Sequence, residues 1–274
     1  MYSKLFLLFI LSALLIKVNA SITGNALIGS FFKNQKLQVS VEIQRDTATW
    51  FDVSRNRPVP IATYFCQSLS DSIKRTHNKQ KVVLINPGYP GKNTDYGYIA
   101  GNLAKHGYYV VTIQQNLPSD LPIPTKGDLY KLRQSYWNVG VQNILFVLGK
   151  LKKVQSSLDY ENLIIIGHSN GGDISMLLAK QYPKVASIII SLDNRRMPFP
   201  RSKYPKVFSI RSSDQPADTG VLPLVKDQKK YKTVLVNVNT VHDDMGGFGT
   251  EEQLSEINNL IIQFLGSNIL NRRM

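Results

Sequence analysis

The stretch that decides the fold is Leu163–Lys180, LIIIGHSNGGDISMLLAK. An apolar run leads into Gly-His-Ser-Asn-Gly, and a helix-like segment follows at once. This pattern fits G-x-S-x-G, with Ser169 between Gly167 and Gly171. Glycines at these positions remove Cβ atoms that would collide with the neighbouring strand or helix when the serine adopts a cramped turn. The pattern predicts a nucleophile on a strand-to-helix turn; the alternative is an ordinary Gly-rich turn that grips a phosphate.

Short hydrophobic runs alternate with amphipathic segments on both sides of this stretch. Besides ENLIIIG, which leads into the serine, the runs with the composition of buried strands are KVVLIN, YYVVTIQ, VASIIISLD, KVFSIRS and KTVLVNV. Helices are predicted over about 95–106, over about 129–152, after Ser169 and from Thr250 onward. This alternation predicts an α/β protein with a mostly parallel twisted sheet and helices on both faces.

The segments before KVVLIN have a different pattern. LQVSVEIQ, TATWFDVS and VPIATYFC, with a turn at Asn56-Arg57-Pro58, predict antiparallel strands at the N-terminal edge of the sheet. Further along, only NRRMPFPRSKYP separates SIIISLD from KVFSIRS, and this proline-rich segment is too short for a cap domain. The sequence therefore predicts no large lid over the site.

The N-terminus has the composition of an export signal. Residues 1–20, MYSKLFLLFILSALLIKVNA, carry Lys4 near their start, continue with an apolar run and end in small residues. The run is shorter than the roughly 20 apolar residues of a spanning helix. A cleaved signal peptide is therefore predicted, with an uncleaved N-terminal anchor as the alternative. Residues 21–274 would then form a single domain, secreted or periplasmic.

The chain is strongly basic, with a formal net charge of +14. The basic residues are spread over several segments, and none of these resembles a motif that reads nucleic acid. The charge instead predicts a peripheral attraction to anionic envelope polymers or lipid headgroups. Cys66 is the only cysteine, so an internal disulfide is excluded and a buried structural thiol is predicted.

A serine nucleophile needs a general base, and the chain has 4 histidines. His77 lies in a polar turn, His106 lies near a helix end, and His168 is expected to turn away from the nucleophile. His242 follows the last buried strand, in a loop before the final helix. Because functional groups gather at the carboxyl ends of parallel strands, His242 is predicted to be the base.

The third residue must be a carboxylate that orients the imidazole. Asp214, after KVFSIRS, is the first choice; Asp193, which ends VASIIISLD, is the second, and Asp218 is the third. Each also has an alternative role as a surface carboxylate, and Asp193 could instead pair with Arg195 or Arg196.

Two backbone N–H groups are predicted to bind the oxyanion. One belongs to Asn170, next after the nucleophile at the start of a helix. The other belongs to Tyr89, in the loop NPGYPG after KVVLIN. A plain Pro/Gly-rich turn is the alternative reading of this loop, and it is compatible with a donor role.

The GHSNG elbow, the NPGYPG loop and the order Ser169, Asp214, His242 resemble an α/β-hydrolase over roughly residues 38–268. FDVSRNRPVPIATYF also resembles the front strands of the branch that contains dienelactone hydrolases and platelet-activating-factor acetylhydrolases. The resemblance implies that Ser169 forms an acyl-enzyme with proton transfer by His242. It implies that Tyr89 and Asn170 hold the oxyanion, and it implies neither a cofactor nor a metal.

The predicted function is hydrolysis of small-molecule or lipid-like carboxylic esters by a secreted serine hydrolase. The alternatives are a serine peptidase or amidase on the same residues, and a non-catalytic α/β-hydrolase-like protein that binds the cell envelope. Arg195, Arg196 and Arg201 face either the mouth of the site, where they would favour an anionic substrate, or solvent. Acyl length and oligomeric state are left open by the sequence.

Overall fold

Eight strands and seven helices make up the part of the chain that the computed structural model describes, residues 41–270. The strands are β1 Ile43–Asp52, β2 Arg57–Cys66, β3 Gln80–Asn86, β4 Tyr109–Ile113, β5 Leu158–His168, β6 Ile188–Leu192, β7 Lys206–Arg211 and β8 Val234–Asn237. The helices are α1 Gln67–Arg75, α2 Gly97–Lys105, α3 Leu129–Leu132, α4 Gln134–Val154, α5 Ser169–Gln181, α6 Val225–Tyr231 and α7 Glu251–Leu270. The predicted signal segment and the first residues of LQVSVEIQ lie outside the described range.

All eight strands form one sheet in the order β1-β2-β4-β3-β5-β6-β7-β8. The pairs β1–β2 and β2–β4 are antiparallel, and every other neighbouring pair is parallel. This confirms the predicted mostly parallel sheet with antiparallel N-terminal strands. The six strands β3 to β8 all run parallel, so their carboxyl ends lie at the same edge of the sheet.

The core consists of two apolar layers, one on each face of the sheet. Val82 and Leu84 of β3 point into the layer covered by α4 and α5, whereas Val83 and Ile85 point into the layer covered by α2 and α7. This alternation follows from the two-residue period of a strand. Strands buried on both faces need apolar residues at successive positions, which explains the continuous hydrophobic runs in the sequence.

The helix faces agree with the sequence pattern. On α4, Val141, Ile144, Leu148 and Leu151 are buried in one layer, and Leu145 packs against its border. Before α7, the backbone N of Thr250 donates to Gln253 Oε1 at 2.9 Å, and Gln253 N donates to Thr250 Oγ1 at 3.3 Å. The capping box predicted at this position is therefore present.

The N-terminal strands and one helix differ from expectation. Residues Ile43–Asp52 form one continuous strand, where the sequence predicted two runs. Helix α1 was not predicted, because it is largely exposed and only Ser70 is buried in it. Residues 193–205 contain no helix, which agrees with the absence of a large lid there. Within residues 41–270, no helix combines the length and apolar character needed to span a bilayer.

Candidate active site

The turn that carries Ser169 is sterically crowded. β5 ends at His168 and α5 begins at Ser169, whose φ of 50° lies in the left-handed region. A Cβ atom on Gly167 would overlap the backbone of Gly171, and one on Gly171 would overlap the carbonyl of Asn86 at the end of β3. The close approach of three backbone segments therefore requires both glycines, for the steric reason predicted from the sequence.

His242 reaches Ser169 from the loop after β8. Its Nε2 lies 2.8 Å from Ser169 Oγ, and its side chain is buried. The 3-10 turn Asp243–Gly246 follows at once and carries the chain back toward α7. The structure therefore places the predicted base within hydrogen-bond distance of the predicted nucleophile.

The carboxylate on the imidazole is Asp193, the second choice from the sequence. Asp193 Oδ2 lies 2.6 Å from His242 Nδ1. Asp214, the first choice, accepts the backbone N–H of His242 at 2.7 Å instead. Asp218, the third choice, lies near Arg133 and Arg196, and its negative charge acts to raise the pKa of both guanidinium groups. The preference for Asp214 is corrected: Asp193 follows β6, the direct neighbour of β5, whereas Asp214 follows β7, one strand further from the nucleophile.

The surroundings of Asp193 favour its charged form. The residue is fully buried, and its Oδ1 forms an ion pair with Arg211 Nη2 at 2.6 Å. Ser212 Oγ donates to Oδ2 at 2.7 Å. Burial alone raises the pKa of Asp193, but the hydrogen bond from His242 and the charge of Arg211 outweigh burial and hold the pKa below its ordinary value. Asp193 is therefore a carboxylate at neutral pH.

The hydrogen-bond partners assign the tautomer of His242. A carboxylate only accepts, so Nδ1 carries the proton and donates to Asp193. Nε2 then has a free lone pair and accepts the hydroxyl proton of Ser169. This arrangement can remove the serine proton while the serine oxygen attacks an electrophile.

The two predicted oxyanion donors border the nucleophile. Asn170 is the second residue of α5 and is buried, and its Oδ1 accepts from Trp137 Nε1 at 2.9 Å. Its backbone N–H lies in the first helical turn, where donors lack an intrahelical acceptor. Tyr89 lies in the loop after β3 and lines the same cleft as Ser169. Both residues lie beside the nucleophile, and their role as oxyanion donors stays a prediction.

An open cleft of about 680 Å³ lies in front of Ser169. Its walls come from the loop after β3 and from the loop that follows His242, where Phe248 is 76% exposed. Lys92 and Asp243 both line it, so charges of both signs border the site. A cavity of this size accommodates a small organic ligand.

The arginines after β6 do not belong to the residues that line this cleft. Arg195 donates to the side chain of Gln215, and Arg201 donates to the carbonyl of Gly220 and pairs with Asp227. The expectation that such arginines select an anionic substrate at the mouth therefore has no support from their positions. Within residues 41–270, no three His, Cys, Asp or Glu side chains are grouped so that they could hold a metal ion.

A second buried histidine lies behind Ser169, and sequence reasoning assigned it no role. Tyr96 Oη lies 2.6 Å from His168 Nδ1 and accepts the N–H of Gly88 at 2.9 Å. His168 Nε2 lies 3.0 Å from the backbone oxygen of His242, and the two imidazole rings are 4.8 Å apart. Burial and then the neighbouring His242 lower the pKa of His168 to about 3. Tyr96 and His168 are 72 residues apart, so no local pattern signals their contact.

A serine on a glycine-flanked strand-to-helix turn, contacted by a histidine that a buried aspartate orients, is the arrangement typical of the α/β-hydrolase superfamily. The model of one family, described as PETase, PET hydrolase-like, matches residues 45–242, from β1 to the histidine of the site. The chain belongs to this PET hydrolase-like family.

Curated relatives match a shorter part of the chain. Cutinase 2 of Thermobifida cellulosilytica is 29% identical over 115 residues, which are 42% of this chain and 40% of the relative. Cutinase cut1 of Thermobifida fusca is 29% identical over 115 residues, 42% of this chain and 33% of the relative. The match therefore spans less than half the length of these relatives.

Solved structures show the same fold at low identity. One of two fungal esterases from Rhizomucor miehei has a TM-score of 0.58 and 12% identity, and the match covers 87% of both chains. A ferulic acid esterase from Streptomyces cinnamoneus has a TM-score of 0.52 and 15% identity, over 73% of this chain and 74% of that one. These likenesses establish the α/β-hydrolase architecture.

Proposed function

We propose that this protein is a serine carboxylic ester hydrolase whose catalytic triad is Ser169, His242 and Asp193. The observation that carries the proposal is the continuous series of contacts from Ser169 Oγ through His242 to Asp193, of 2.8 and 2.6 Å. These contacts supply a nucleophile, a base and an orienting carboxylate at hydrogen-bond distances.

The first half of the proposed reaction forms an acyl-enzyme. Ser169 Oγ attacks the ester carbonyl carbon while its proton moves to His242 Nε2. Asp193 stabilises the resulting imidazolium, and the N–H groups of Asn170 and Tyr89 stabilise the oxyanion. The tetrahedral intermediate then collapses: the bond to the alcohol oxygen breaks, and His242 donates its proton to that oxygen.

The second half returns the enzyme to its starting state. Water enters the open cleft, gives a proton to His242 and attacks the acyl carbon. The bond to Ser169 Oγ then breaks, and His242 returns the proton to the serine. Because protonation of His242 recurs in both halves, the ion pair of Asp193 with Arg211 matters for both: it keeps a negative charge beside the imidazolium.

The comparisons favour esters over amides. The curated relatives are cutinases, and the family is described as PET hydrolase-like. The cleft is open and has mixed charge, which suits a neutral ester more readily than a strongly anionic substrate. The narrower resemblance to dienelactone hydrolases and platelet-activating-factor acetylhydrolases stays a prediction.

The proposal is tested by labelling with a fluorophosphonate and by hydrolysis of p-nitrophenyl butyrate. We expect wild type to be labelled and active, and Ser169→Ala to be unlabelled with kcat reduced at least about 10⁵-fold. The matched control is Ser187→Ala, because Ser187 is also buried but bonds the backbone oxygen of Leu163 instead of His242. This control is expected to be labelled and active.

Three results would contradict the proposal. A wild-type protein that is neither labelled nor active on esters would point to a non-catalytic binding protein. Faster hydrolysis of matched amides or peptides than of esters would make it an amidase or peptidase. Equal labelling of Ser169→Ala and wild type would place the nucleophile elsewhere.

We also propose export of the protein, supported by the apolar run in residues 1–20. N-terminal sequencing of the exported protein is expected to begin near Ser21, after removal of the signal. Recovery with an intact Met1 in the membrane fraction would favour the uncleaved anchor, and recovery in the cytosol would contradict export.

A further inference from the structure

The backbone of His242 is held at both of its polar groups. Asp214 Oδ1 accepts its N–H at 2.7 Å, and His168 Nε2 lies 3.0 Å from its carbonyl oxygen. Together with Asp193 on the imidazole, these side chains lie at or just after the carboxyl ends of three neighbouring strands of the sheet, β5, β6 and β7. The base of the reaction therefore has contacts that fix its main chain as well as its ring.

The proton directions in the His168 network follow from its two ends. A backbone N–H only donates, so the Tyr96 hydroxyl oxygen accepts from Gly88. A backbone carbonyl only accepts, so His168 carries its proton on Nε2 and donates to His242 O. The Tyr96 hydroxyl proton is then directed at the unprotonated Nδ1 of His168. Every donor in this series has an acceptor.

We propose that Tyr96 and His168 are positioning residues that hold the general base His242 and the oxyanion loop in fixed relative positions. At one end of this series of hydrogen bonds, Tyr96 accepts the N–H of Gly88, the residue before the proposed oxyanion donor Tyr89. At the other end, His168 donates to the backbone carbonyl of His242. The inference rests on the proposed function, because it assigns roles toward the same acyl transfer.

The network also keeps a second positive charge away from the reacting groups. His242 becomes an imidazolium during the reaction, and a charged ring 4.8 Å away would oppose this step. The groups that act on His168 are Tyr96, His242, Asp193 and Arg195. Burial and the positive charges of protonated His242 and Arg195 outweigh the attraction of Asp193 and the hydrogen bond to the His242 carbonyl, so the pKa of His168 is lowered and the ring is neutral.

Tyr96→Phe is the sharpest test, because it removes one oxygen and leaves the ring surface that borders the cleft. We expect kcat for p-nitrophenyl butyrate to fall roughly tenfold to a hundredfold through misalignment, with KM changed less than about twofold. The matched control is Tyr160→Phe, which also removes a tyrosine hydroxyl. That hydroxyl donates to the backbone carbonyl of Gln155 at 2.8 Å and not to a histidine. Tyr160 packs at the border of the other apolar layer, so kcat is expected to stay within about twofold of wild type.

His168 variants separate positioning from a general loss of stability. The amide of a glutamine can still donate to the carbonyl of His242, whereas a leucine cannot. We expect His168→Gln to retain more of kcat than His168→Leu when both are folded by circular dichroism. If His168→Leu does not fold, Tyr96→Phe carries the kinetic test. Nitrogen NMR of wild type is expected to show a neutral His168 with its proton on Nε2 from about pH 5 to about pH 9.

The outcomes are distinguishable from those of the proposed function. If wild type reacts with the fluorophosphonate but Tyr96→Phe has the kcat of Tyr160→Phe, the positioning role is wrong and the ester hydrolase stands. Titration of His168 near neutral pH, or a proton on its Nδ1, would also overturn the inference. A wild type that lacks both labelling and activity would overturn the proposed function, and the positioning role with it.

Discussion

Two fully buried carboxylates, Asp193 and Asp173, show how the surroundings of an acid decide whether its pKa is raised or lowered. Asp193, after β6, and Asp173, in α5, are both fully buried. Asp193 contacts Arg211 and His242, and its pKa is lowered. Asp173 is buried without such an ion pair, and burial raises its pKa. Equal burial therefore goes with pKa shifts of opposite direction, because Asp193 forms an ion pair with Arg211, whereas Asp173 feels the charge of Arg196 without forming an ion pair.

The two acids also serve the same segment in different ways. Asp173 Oδ1 accepts the backbone N–H groups of Arg196 and Met197 at 3.0 and 2.8 Å, so it holds the chain that follows Asp193. Its Oδ2 is buried and has no hydrogen-bond partner among the described residues. Asp193, by contrast, uses both oxygens. The comparison separates an acid placed for charge from an acid placed to accept backbone hydrogen bonds.

The largest effect is expected from Asp193→Asn. The amide can donate to Nδ1 of His242, which would put the ring proton on Nε2 and remove the base that faces Ser169. We expect kcat of the folded variant to fall roughly 10⁴-fold, measured with p-nitrophenyl butyrate. Thermal unfolding is expected to show a lower Tm as well, because the amide leaves the buried guanidinium of Arg211 without a charged partner.

Asp214→Asn is the matched control for this prediction. Its amide oxygen can still accept the backbone N–H of His242, so we expect a loss of less than about tenfold. If Asp214→Asn were the more damaging variant, the assignment of Asp193 to the triad would be wrong.

The second effect concerns the ion pair that distinguishes Asp193. Arg211→Met removes the guanidinium and leaves the carboxylate buried with only His242 and Ser212 as side-chain partners. Breaking a buried pair in this way costs about 3–5 kcal/mol of unfolding free energy, measurable by denaturant titration at neutral pH. Arg57→Met is the comparison, because Arg57 pairs with Asp120 in a partly exposed position and is expected to cost less. Equal losses would mean that the Arg211 pair has no special weight.

The fold could be predicted from the sequence because the sequence signals for its strands and helices are local. Apolar runs, the spacing along α4 and the capping box before α7 each lie within a few turns of chain. The crowded turn at Ser169 is also encoded locally, through the glycines on either side. Helix α1 was not predicted because its apolar residues are too few to form an apolar stripe along one face.

The site could be predicted from the sequence only in part, because it depends on which strands are neighbours in the sheet. Asp193 and Asp214 both follow buried strands, and nothing in their local sequence ranks them. The order β5-β6-β7 and the positive φ of Asp193 direct that residue to the imidazole. The contact of Tyr96 with His168 joins the start of α2 to the end of β5, which is a tertiary fact.

The smallest effect is expected from Asp173→Asn. Burial raises the pKa of Asp173 in the folded protein above its ordinary value of 3.8. The charged carboxylate therefore lowers the free energy of unfolding by its full amount at pH values above the raised pKa, and this loss disappears as pH falls toward 3.8. Asparagine keeps the acceptor for Arg196 and Met197 and removes the charge. We therefore expect a gain within about 1 kcal/mol at neutral pH and a flatter dependence of Tm on pH below neutrality.

Asp120→Asn provides the opposite sign for this last comparison. Burial raises the pKa of Asp120, but the hydrogen bonds from Arg57 and from the backbone N–H of Leu117, together with the charge of Arg57, outweigh burial and lower it. Its stabilisation is therefore present above 3.8 and is lost as pH falls through the lower folded pKa. The asparagine variant is expected to lose stability at neutral pH and to approach wild type in acid. If Asp173→Asn behaved like Asp120→Asn, the carboxylate of Asp173 would have to be stabilised by charge in the folded protein, and the contrast between Asp173 and Asp193 would not hold.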